Sequence, residues 1–491
     1  MKQGQPSKWL AAFCAGLLQT AAFAPSPAWW LQLLSLAMLA ALSWQAAPRS
    51  AAALGALFGI GWLTSGLWWL FISMHQFGHI PAVPAGLAVL LLAIFLSGYY
   101  AAALALWARL SAGMNPGWKI FSFACCWLLA ELARATFFGG FPWIASGYAH
   151  SVGPLAAWAP WIGVYGICAI AAAIAASGVA LTASRQWQHA AWPVLLLGLG
   201  ALLPQEFTSS SGRLQVSLLQ PNVRQDEKFD RSLMDANLDL LAQQIEAARG
   251  QLVVTPESVV PLPLDYLSPD YLQRIRQAAA QRPLLLGIFL GDETSGYVNS
   301  LVSFGSAAPY SYGKRHLLPF GEFIPPGFHW FARAMNIPLD DQARGQHQRA
   351  FAVAGQRLRP LICYEDLFGE DFVDSMTGHD AATVLINVSN LAWFGTLMVQ
   401  DQHLQFSQMR ALEFQRPFIR ATNTGATAVI DHRGQVLVKA APAMRTQLEA
   451  EVEGRKGSTP YARWLQAFGL WPLWLLIVAG LALTLARRRA S

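Results

Sequence analysis

The run Leu361-Ile362-Cys363-Tyr364-Glu365-Asp366 lies in the one large water-compatible part of this chain. A short apolar stretch of strand composition ends there at a cysteine, and carboxylates follow directly. The remaining four cysteines, at positions 14, 125, 126 and 168, all lie in long apolar stretches. Because Cys363 has no partner in its own domain, it cannot form a disulfide there, and its thiol is a candidate nucleophile. A packed structural thiol is the simpler alternative.

The chain on either side of this part is strongly apolar. Of its 491 residues, 54% are hydrophobic and only 13% are charged, which excludes an ordinary soluble protein. Most of the apolar stretches reach the roughly 20 residues that a helix needs to cross a bilayer, although the first and the seventh are short. The sequence predicts eight transmembrane helices, over about 9–24, 28–46, 52–73, 82–106, 118–135, 155–183, 190–204 and 464–486.

Basic residues occur only in alternate connections between these spans. The connections 25–27, 74–81 and 136–154 contain neither lysine nor arginine. This is the positive-inside pattern, so both termini are expected in the cytoplasm. The water-compatible part is then expected on the outer side of the membrane. For the inner membrane of a bacterium, that side is the periplasm. The net charge of +6 therefore reflects topology, and no nucleic-acid partner is expected. The basic residues in question are Lys2, Lys8, Arg49, Arg109, Lys119, Arg185 and Arg487 to Arg489.

Three blocks follow from this pattern. Residues 1–205 are predicted to form a membrane block of seven transmembrane helices, and 206–460 to form a periplasmic domain, for which a catalytic role is argued below. Residues 461–491 form a carboxyl-terminal anchor with a cytoplasmic arginine tail. The junctions 208–213 and 453–460 have the serine, glycine and proline content of linkers.

Short apolar runs alternate with amphipathic helical patterns in the central block, which predicts a sheet-rich, layered α/β domain. Predicted helices cover 230–248, 269–281 and 401–415. Predicted strands cover 214–219, 251–255, 284–290, 297–304, 358–363, 383–388, 418–422, 425–431 and 435–439.

Two further polar residues stand at the edges of apolar runs, Glu257 after Val253-Val254-Thr255-Pro256 and Lys314 after Tyr312-Gly313. A carboxylate could remove the proton of the Cys363 thiol, and an ammonium could favour the thiolate and stabilise an oxyanion. Taken singly, each residue has an ordinary alternative as a solvated carboxylate, a surface lysine or a packed thiol. Their occurrence together in one domain favours a catalytic site.

The order Glu257, Lys314, Cys363 resembles the Glu-Lys-Cys triad of the nitrilase superfamily. The surrounding sequence is similar to one membrane-bound branch of it, the apolipoprotein N-acyltransferase family, over nearly the whole chain. The matching runs are Pro256-Glu257-Ser258, Gly313-Lys314, Pro319-Phe320-Gly321-Glu322-Phe323, Cys363-Tyr364-Glu365, Asn387-Val388-Ser389-Asn390, Ala392-Trp393-Phe394-Gly395, Arg420-Ala421-Thr422-Asn423-Thr424-Gly425, Gly140-Phe141-Pro142-Trp143 and Gly147-Tyr148.

This resemblance implies an αββα sandwich in the central block and an acyl transfer. Cys363 would take an acyl chain from a glycerophospholipid as a thioester and pass it to the N-terminal α-amine of a diacylated apolipoprotein. Glu257 would act as the acid and base, while Lys314 and the Tyr364 N–H hold the oxyanion. Glu322 and Glu365 would be the supporting carboxylates. The enzyme is expected to be a monomer in the membrane.

An aromatic stretch, Phe323 to Phe331, is interpreted as a membrane-facing lid, with core packing as the alternative. Trp143 and Tyr148 are expected to line a lipid entrance. The candidate substrate-binding residues are Trp143, Tyr148, Phe229, Phe323, Phe328, Trp330, Asn390 and Trp393.

The sequence departs from the family pattern at three positions. Leu391 stands where the family usually has aspartate, Thr255 where it has tryptophan before the Pro-Glu pair, and Phe229 where it has a tryptophan. These departures concern loop geometry and substrate contacts. No cluster has metal-ligand spacing and no glycine loop would cradle a phosphate, so no cofactor is expected.

Two other functions fit parts of the sequence. A membrane-tethered amidase would use the same triad with water as the acceptor, but it would not need the membrane block. A transporter with a soluble appendage would show broken helices or inverted repeats, and neither is evident. Glu131 and Arg134, within the fifth span, could form a functional intramembrane ion pair or simply pack helices together.

Overall fold

The computed structural model describes residues 5–330, 341–346 and 349–490. The chain forms two compact units. The helical unit comprises Met1–Phe71, Pro81–Gln205 and Ala467–Ser491, and the sheet unit comprises Ile72–Ile80 and Glu206–Gln466. Lys2 and Phe331, which the sequence analysis singled out, lie outside the described residues.

In the helical unit, a helix lies at each predicted span. Among the described residues, four helices are long and apolar enough to cross a membrane, and a bent pair could be a fifth. The four are Ala82–Ser111, Pro116–Gly139, Pro154–Ser184 and Trp471–Ala490. The number eight therefore stays a prediction. The helices at the eight predicted spans are Gln5–Thr20, Trp30–Ser43, Pro48–Gly66, Ala82–Ser111, Pro116–Thr136, Ala159–Ser184, Ala191–Leu202 and Trp471–Ala490.

Small residues bring the helices of this unit together. A Cβ added at Gly16 would lie 2.1 Å from the Phe58 carbonyl oxygen, and one at Gly55 would lie 2.6 Å from the Tyr100 carbonyl oxygen. Glycine at these crossings lets two backbones touch, which is how helices gain packing contacts where the hydrophobic effect cannot drive them together.

The third predicted span, 52–73, is not one continuous helix. Helix Pro48–Gly66 is followed by the short helix Leu70–Ile72 and a π-type turn at Ser73–Phe77, with a bend of 59°. The hydropathy of the sequence continues across the break, so composition alone could not locate it. Residues Ile72–Ile80 belong to the sheet unit, and within it the Phe77 ring meets the Trp393 ring edge to face, with 5.7 Å between the ring centres.

The sheet unit contains two six-stranded sheets, ordered β12-β1-β2-β3-β4-β5 and β11-β10-β9-β8-β7-β6. The strands of the first sheet are β1 Thr208–Gln220, β2 Leu252–Val254, β3 Leu284–Asp292, β4 Gly296–Phe304, β5 Ser311–Gly313 and β12 Thr446–Gly457. Those of the second are β6 Phe351–Val353, β7 Gln356–Ile362, β8 Val384–Ser389, β9 Phe418–Thr422, β10 Ala428–Ile430 and β11 Val436–Lys439.

The side chains of the two sheets alternate between two cores. One core lies between the sheets and joins residues such as Leu218 and Val254 to Ile386 and Val388. The alternate positions of β1 to β3 pack with helices Met234–Ala247 and Pro269–Ala279. Helix Val399–Phe414 covers β9 and β10 of the second sheet. The unit therefore has the layered helix, sheet, sheet, helix order that the resemblance implied.

Strands extend through all of the first predicted linker, 208–213, and through most of the second, 453–460. Thr208 to Arg213 belong to β1 and Glu453 to Gly457 belong to β12, and these two stretches pair with each other antiparallel, Thr208 opposite Gly457. Serine and threonine are compatible with exposed strand positions, and a register shift between Ser210 and Gly212 accommodates the glycine. The serine and glycine content of these two stretches, typical of a linker, here belongs to the exposed ends of two paired strands.

Candidate active site

The three candidate catalytic residues lie just beyond the carboxyl ends of strands. Glu257 follows β2, Lys314 follows β5 directly, and Cys363 follows β7 directly. The loops at the carboxyl ends of parallel strands are where α/β proteins usually hold reacting groups, because the sheet beneath fixes their position.

Lys314 is clamped between two carboxylates. Its Nζ lies 2.6 Å from Glu322 Oε1 and 3.2 Å from Glu257 Oε1, and all three residues are buried. Burial alone lowers the pKa of Lys314, but the Glu257 and Glu322 carboxylates raise it well above its ordinary value. Lys314 is thus a permanent ammonium at the centre of the site.

Glu257 receives a donor on each oxygen. Asn299 Nδ2 donates to Oε1 at 2.8 Å, and the Asn390 backbone N–H donates to Oε2 at 2.9 Å. Burial raises the pKa of Glu257, but the Lys314 charge and the Asn390 N–H lower it by more. The pKa of Glu257 therefore lies below its usual value. The pKa of Glu322 is raised instead, chiefly by burial. Of the two carboxylates, Glu257 therefore has the lower pKa.

Cys363 occupies a strained turn between β7 and a short 3₁₀ helix, with φ of 52°. Its thiol is not in a disulfide and the residue retains partial exposure. Burial and the charge of Glu257 raise the pKa of the thiol well above its usual value, although Lys314 lowers it. The effect of Lys314, which was expected to favour the thiolate, is therefore smaller than the combined effects of burial and Glu257. The Cys363 thiol is therefore a weaker acid than an ordinary cysteine, and the Glu257 carboxylate is the charged group with the largest effect on its pKa.

Glu365 ties the loop after Lys314 to the turn at Cys363. Its Oε2 accepts from the Ile362 N–H at 2.7 Å and from the Tyr312 hydroxyl at 2.8 Å. Its Oε1 accepts from the Arg315 N–H at 2.7 Å and the His316 N–H at 3.2 Å. One buried carboxylate thus connects the strand ends that carry the lysine and the cysteine.

Comparison with known proteins bears on both units. Residues 15–177 match the apolipoprotein N-acyltransferase N-terminal domain and residues 215–460 match the carbon-nitrogen hydrolase family. The apolipoprotein N-acyltransferase of Verminephrobacter eiseniae is 46% identical over 94% of this chain and 92% of that protein. That of Ralstonia nicotianae is 44% identical over 97% of this chain and 93% of the relative.

This chain belongs to the apolipoprotein N-acyltransferase family. The resemblance predicted from its sequence is confirmed, and family membership together with the long apolar helices identifies a membrane protein. A more distant member, from Nitrosomonas europaea, is 37% identical over 98% of both chains. The similarity of these apolipoprotein N-acyltransferases thus runs through the helical and the sheet unit alike.

Four of the candidate substrate-binding residues present aromatic surface on the sheet unit. Phe229, Phe328, Trp330 and Trp393 are all exposed, Trp330 to 64%. Phe323 is half-buried, with the Arg344 guanidinium 5.4 Å from its ring centre. This exposure does not fit the alternative that the aromatic stretch is core packing, at least for Phe328 and Trp330.

Asn390 differs from these aromatic residues because its side chain is buried and bonded within the protein. Its Nδ2 donates to Gln225 Oε1 at 2.9 Å, and its Oδ1 accepts from Asn423 Nδ2 at 3.0 Å. What Asn390 offers to the site is its backbone N–H, which donates to Glu257. The neighbouring departure from the family pattern, Leu391, is buried beside it.

Trp143 and Tyr148 belong to the helical unit and are buried within it, Trp143 against the Trp69 ring at 4.8 Å. Arg134 pairs with Glu131 at 3.0 Å and also donates to the carbonyl oxygens of Phe141 and Trp143. The ion pair therefore holds the loop that carries Trp143, which favours the packing alternative for Glu131 and Arg134.

Sequence reasoning missed several residues around the triad. Asn299 lies among apolar residues of β4 and donates to Glu257, so a polar side chain in an apolar strand was an available signal. Lys228 is buried and donates to Ser258 Oγ at 2.8 Å, next to Glu257. Nothing in the local sequence distinguishes Lys228 from a surface lysine.

Proposed function

We propose that this protein transfers an acyl chain from a glycerophospholipid to the N-terminal α-amine of S-diacylglyceryl-cysteine apolipoproteins, through a thioester on Cys363. The observation that carries this proposal is the clamped Lys314 ammonium, 3.2 Å from an ionised Glu257 carboxylate that interacts with the Cys363 thiol. A base, a nucleophile and a fixed cation are the parts that acyl transfer through a thioester requires. Membership of the apolipoprotein N-acyltransferase family supports the choice of substrates.

In the first half-reaction, Glu257 takes the thiol proton as Sγ attacks the ester carbonyl carbon of the phospholipid. The negative charge that develops on the carbonyl oxygen is held by the Lys314 ammonium and the Tyr364 N–H. The intermediate collapses by breaking the carbon–oxygen bond, and Glu257 returns its proton to the leaving oxygen. Lysophospholipid leaves and the acyl chain remains on Cys363.

In the second half-reaction, the α-amine of the apolipoprotein attacks the thioester carbon. An α-amine has a pKa of about 7.7–8.0, so a useful fraction is neutral near pH 7. Glu257 accepts a proton from the attacking nitrogen, the carbon–sulfur bond breaks, and Glu257 returns that proton to the Cys363 sulfur. The products are an amide and the free thiol, so Glu257 ends each cycle as it began.

The membrane block has a physical purpose in this scheme. Both substrates keep their acyl chains in the bilayer, and exposing a chain to water costs about 0.8 kcal/mol per CH₂. We place residues 206–460 in the periplasm and both termini in the cytoplasm of the inner membrane, on the basis of the positive-inside pattern. The blocks 1–205 and 461–491 would then anchor the enzyme, as a monomer, through eight spans.

The test is mass spectrometry of the full-length protein incubated with phospholipid, with Cys363→Ala as the matched control. Acyl mass should appear on the Cys363 peptide and disappear on addition of a diacylglyceryl-cysteine peptide, with N-acylated peptide as the product. Release of the chain as free fatty acid would favour the rival amidase-type hydrolase. Equal labelling of parent and variant would refute Cys363 as the nucleophile.

A further inference from the structure

Two side chains from other elements bind the carbonyl oxygen of Cys363. Asn387 Nδ2, at the end of β8, donates to it at 2.8 Å. His403 Nε2, on helix Val399–Phe414, lies 3.1 Å from the same oxygen. Neither residue belongs to the triad or to its supporting carboxylates, and both are fully buried.

The neighbours of Asn387 and His403 determine which atoms donate. The Ser389 hydroxyl donates to Asn387 Oδ1, which turns the amide nitrogen toward the carbonyl. Arg420 Nη2 lies 2.9 Å from His403 Nδ1, and a guanidinium can only donate, so Nδ1 is unprotonated. His403 therefore carries its proton on Nε2 and donates from there to the Cys363 carbonyl and to Asp366 Oδ1 at 3.0 Å.

A buried ionic group fixes the imidazole of His403. Asp366 Oδ2 accepts from Arg420 Nη1 at 3.0 Å and from the Ser407 hydroxyl at 2.7 Å. Burial, together with the Arg420 charge, lowers the pKa of His403 although Asp366 raises it. A neutral imidazole held between a carboxylate and a guanidinium has one tautomer and one ring orientation, so it is a fixed donor.

The carbonyl that these donors hold belongs to the Cys363–Tyr364 peptide. A trans peptide is planar, and its C=O and N–H point in opposite directions. Two donors on the carbonyl side therefore direct the Tyr364 N–H away from Asn387 and His403. Hydrogen bonds to the oxygen of an amide also polarise that amide, so its own N–H becomes a stronger donor.

We propose that Asn387 and His403 are positioning residues that orient and polarise the Tyr364 N–H as an oxyanion donor in both half-reactions. This inference rests on the proposed function.

The test compares two reactions of the same sulfur. Acylation by phospholipid passes through an oxyanion, whereas alkylation by iodoacetamide displaces iodide and forms none. The variants are Asn387→Asp and His403→Ala, each of which removes one donor, and His403→Gln, whose amide can still donate. Both reactions are followed by mass spectrometry of the Cys363 peptide in full-length protein, with Cys363→Ala as the blank.

We expect acylation to slow by about 100-fold or more in Asn387→Asp and His403→Ala, the loss typical of an oxyanion donor. Alkylation should stay within about threefold of the parent, and His403→Gln should recover much of the acylation rate. A parallel loss of both rates would mean that the two residues only shape the thiol and would overturn the proposal, as would unchanged acylation.

Ser389→Ala keeps the proposal testable if the buried variants do not fold. It releases the Asn387 amide without removing a donor to the carbonyl, and it should slow acylation selectively by a smaller factor; equal effects on both reactions count against the proposal. The fate of the thioester is recorded separately. If water hydrolyses the thioester in the parent protein, the proposed acyl transfer is refuted. The comparison of acylation with alkylation in the variants still decides whether Asn387 and His403 act on the oxyanion donor.

Discussion

Lys314 Nζ lies closer to Glu322 Oε1, at 2.6 Å, than to Glu257 Oε1, at 3.2 Å. Glu322 also accepts from the Leu318 N–H at 2.8 Å, so its carboxylate is anchored to the loop that follows Lys314. The ammonium therefore makes its shorter ion pair with Glu322. In the proposed mechanism, Glu322 would hold Lys314 in place while Glu257 acts as the base.

Glu322→Gln should therefore slow acylation without weakening phospholipid binding. With the Glu322 charge gone, Lys314 pairs more tightly with Glu257 and makes it a weaker base, for which a loss of about 100-fold is typical. Single-turnover acylation measured over a range of phospholipid concentrations separates the rate from the affinity. Weaker binding at an unchanged maximal rate would show that Glu322 acts on the substrate instead.

Glu257→Gln and Lys314→Met should move the pKa of the Cys363 thiol in opposite directions. Burial is the largest cause of the raised pKa, Glu257 raises it further and Lys314 lowers it. The thiol pKa should therefore fall in Glu257→Gln and rise in Lys314→Met, which the pH dependence of iodoacetamide alkylation measures.

Acylation should nevertheless be lost in both variants, since one lacks the base and the other the cation. A Glu257→Gln enzyme that alkylates faster at pH 7 yet no longer forms the thioester would separate deprotonation by Glu257 from its effect on thiol acidity. If the thiol pKa rose in Glu257→Gln instead, the electrostatic account of the site would be wrong.

Lys228→Met should shift the acid limb of the pH–rate profile upward. Glu257 has a lowered pKa, with Lys228 among the causes after burial, Lys314 and the Asn390 N–H. If Glu257 is the base, as proposed, activity is present above that pKa and is lost as the pH falls through it. Removing the Lys228 charge raises the Glu257 pKa, so the acid limb of the pH–rate profile moves to higher pH.

Arg224→Met is the matched control for this experiment, because Arg224 is a nearby but exposed cation paired with Asp226. Its acid limb should coincide with that of the parent. Identical limbs in Lys228→Met and the parent would show that the Lys228 charge does not reach Glu257.

Glu365→Gln should destabilise the sheet unit. The carboxylate accepts from three backbone N–H groups and the Tyr312 hydroxyl, and an amide has only one oxygen to offer them. Leaving buried donors without acceptors costs about 3 kcal/mol. Thermal unfolding followed by circular dichroism should show a lower midpoint, with Asp371→Asn, at the half-exposed His316 pair, as the control. Equal midpoints in both variants would contradict this role.

The sequence identified the family and the strand ends that carry Glu257 and Cys363, because each stands where an apolar run stops. It did not predict the three-residue strand β5, Ser311–Gly313, which precedes Lys314. It could equally have revealed β12, in which Leu448, Ala450 and Val452 alternate with glutamates. The last residues of β12 are polar and glycine-rich, a composition that is also typical of a linker.

Other features depend on tertiary register and could not be predicted locally. Asn387 and Arg420 stand side by side only because β8 and β9 pair in that register. His403 reaches the Cys363 carbonyl from a helix 40 residues further along the chain. The raised pKa of the Cys363 thiol follows from burial, which a list of neighbouring charges does not reveal.

The most direct measurement is a chase of the isolated acyl-enzyme. Full-length protein is acylated with phospholipid, freed of excess lipid, and mixed with diacylglyceryl-cysteine peptide or with buffer alone, while the mass of the Cys363 peptide is followed in time. The account predicts rapid loss of the thioester with peptide, an equal yield of N-acylated peptide, and slow loss in buffer. Equal rates of loss with free fatty acid as the product, or no acyl mass on Cys363 at all, would contradict it.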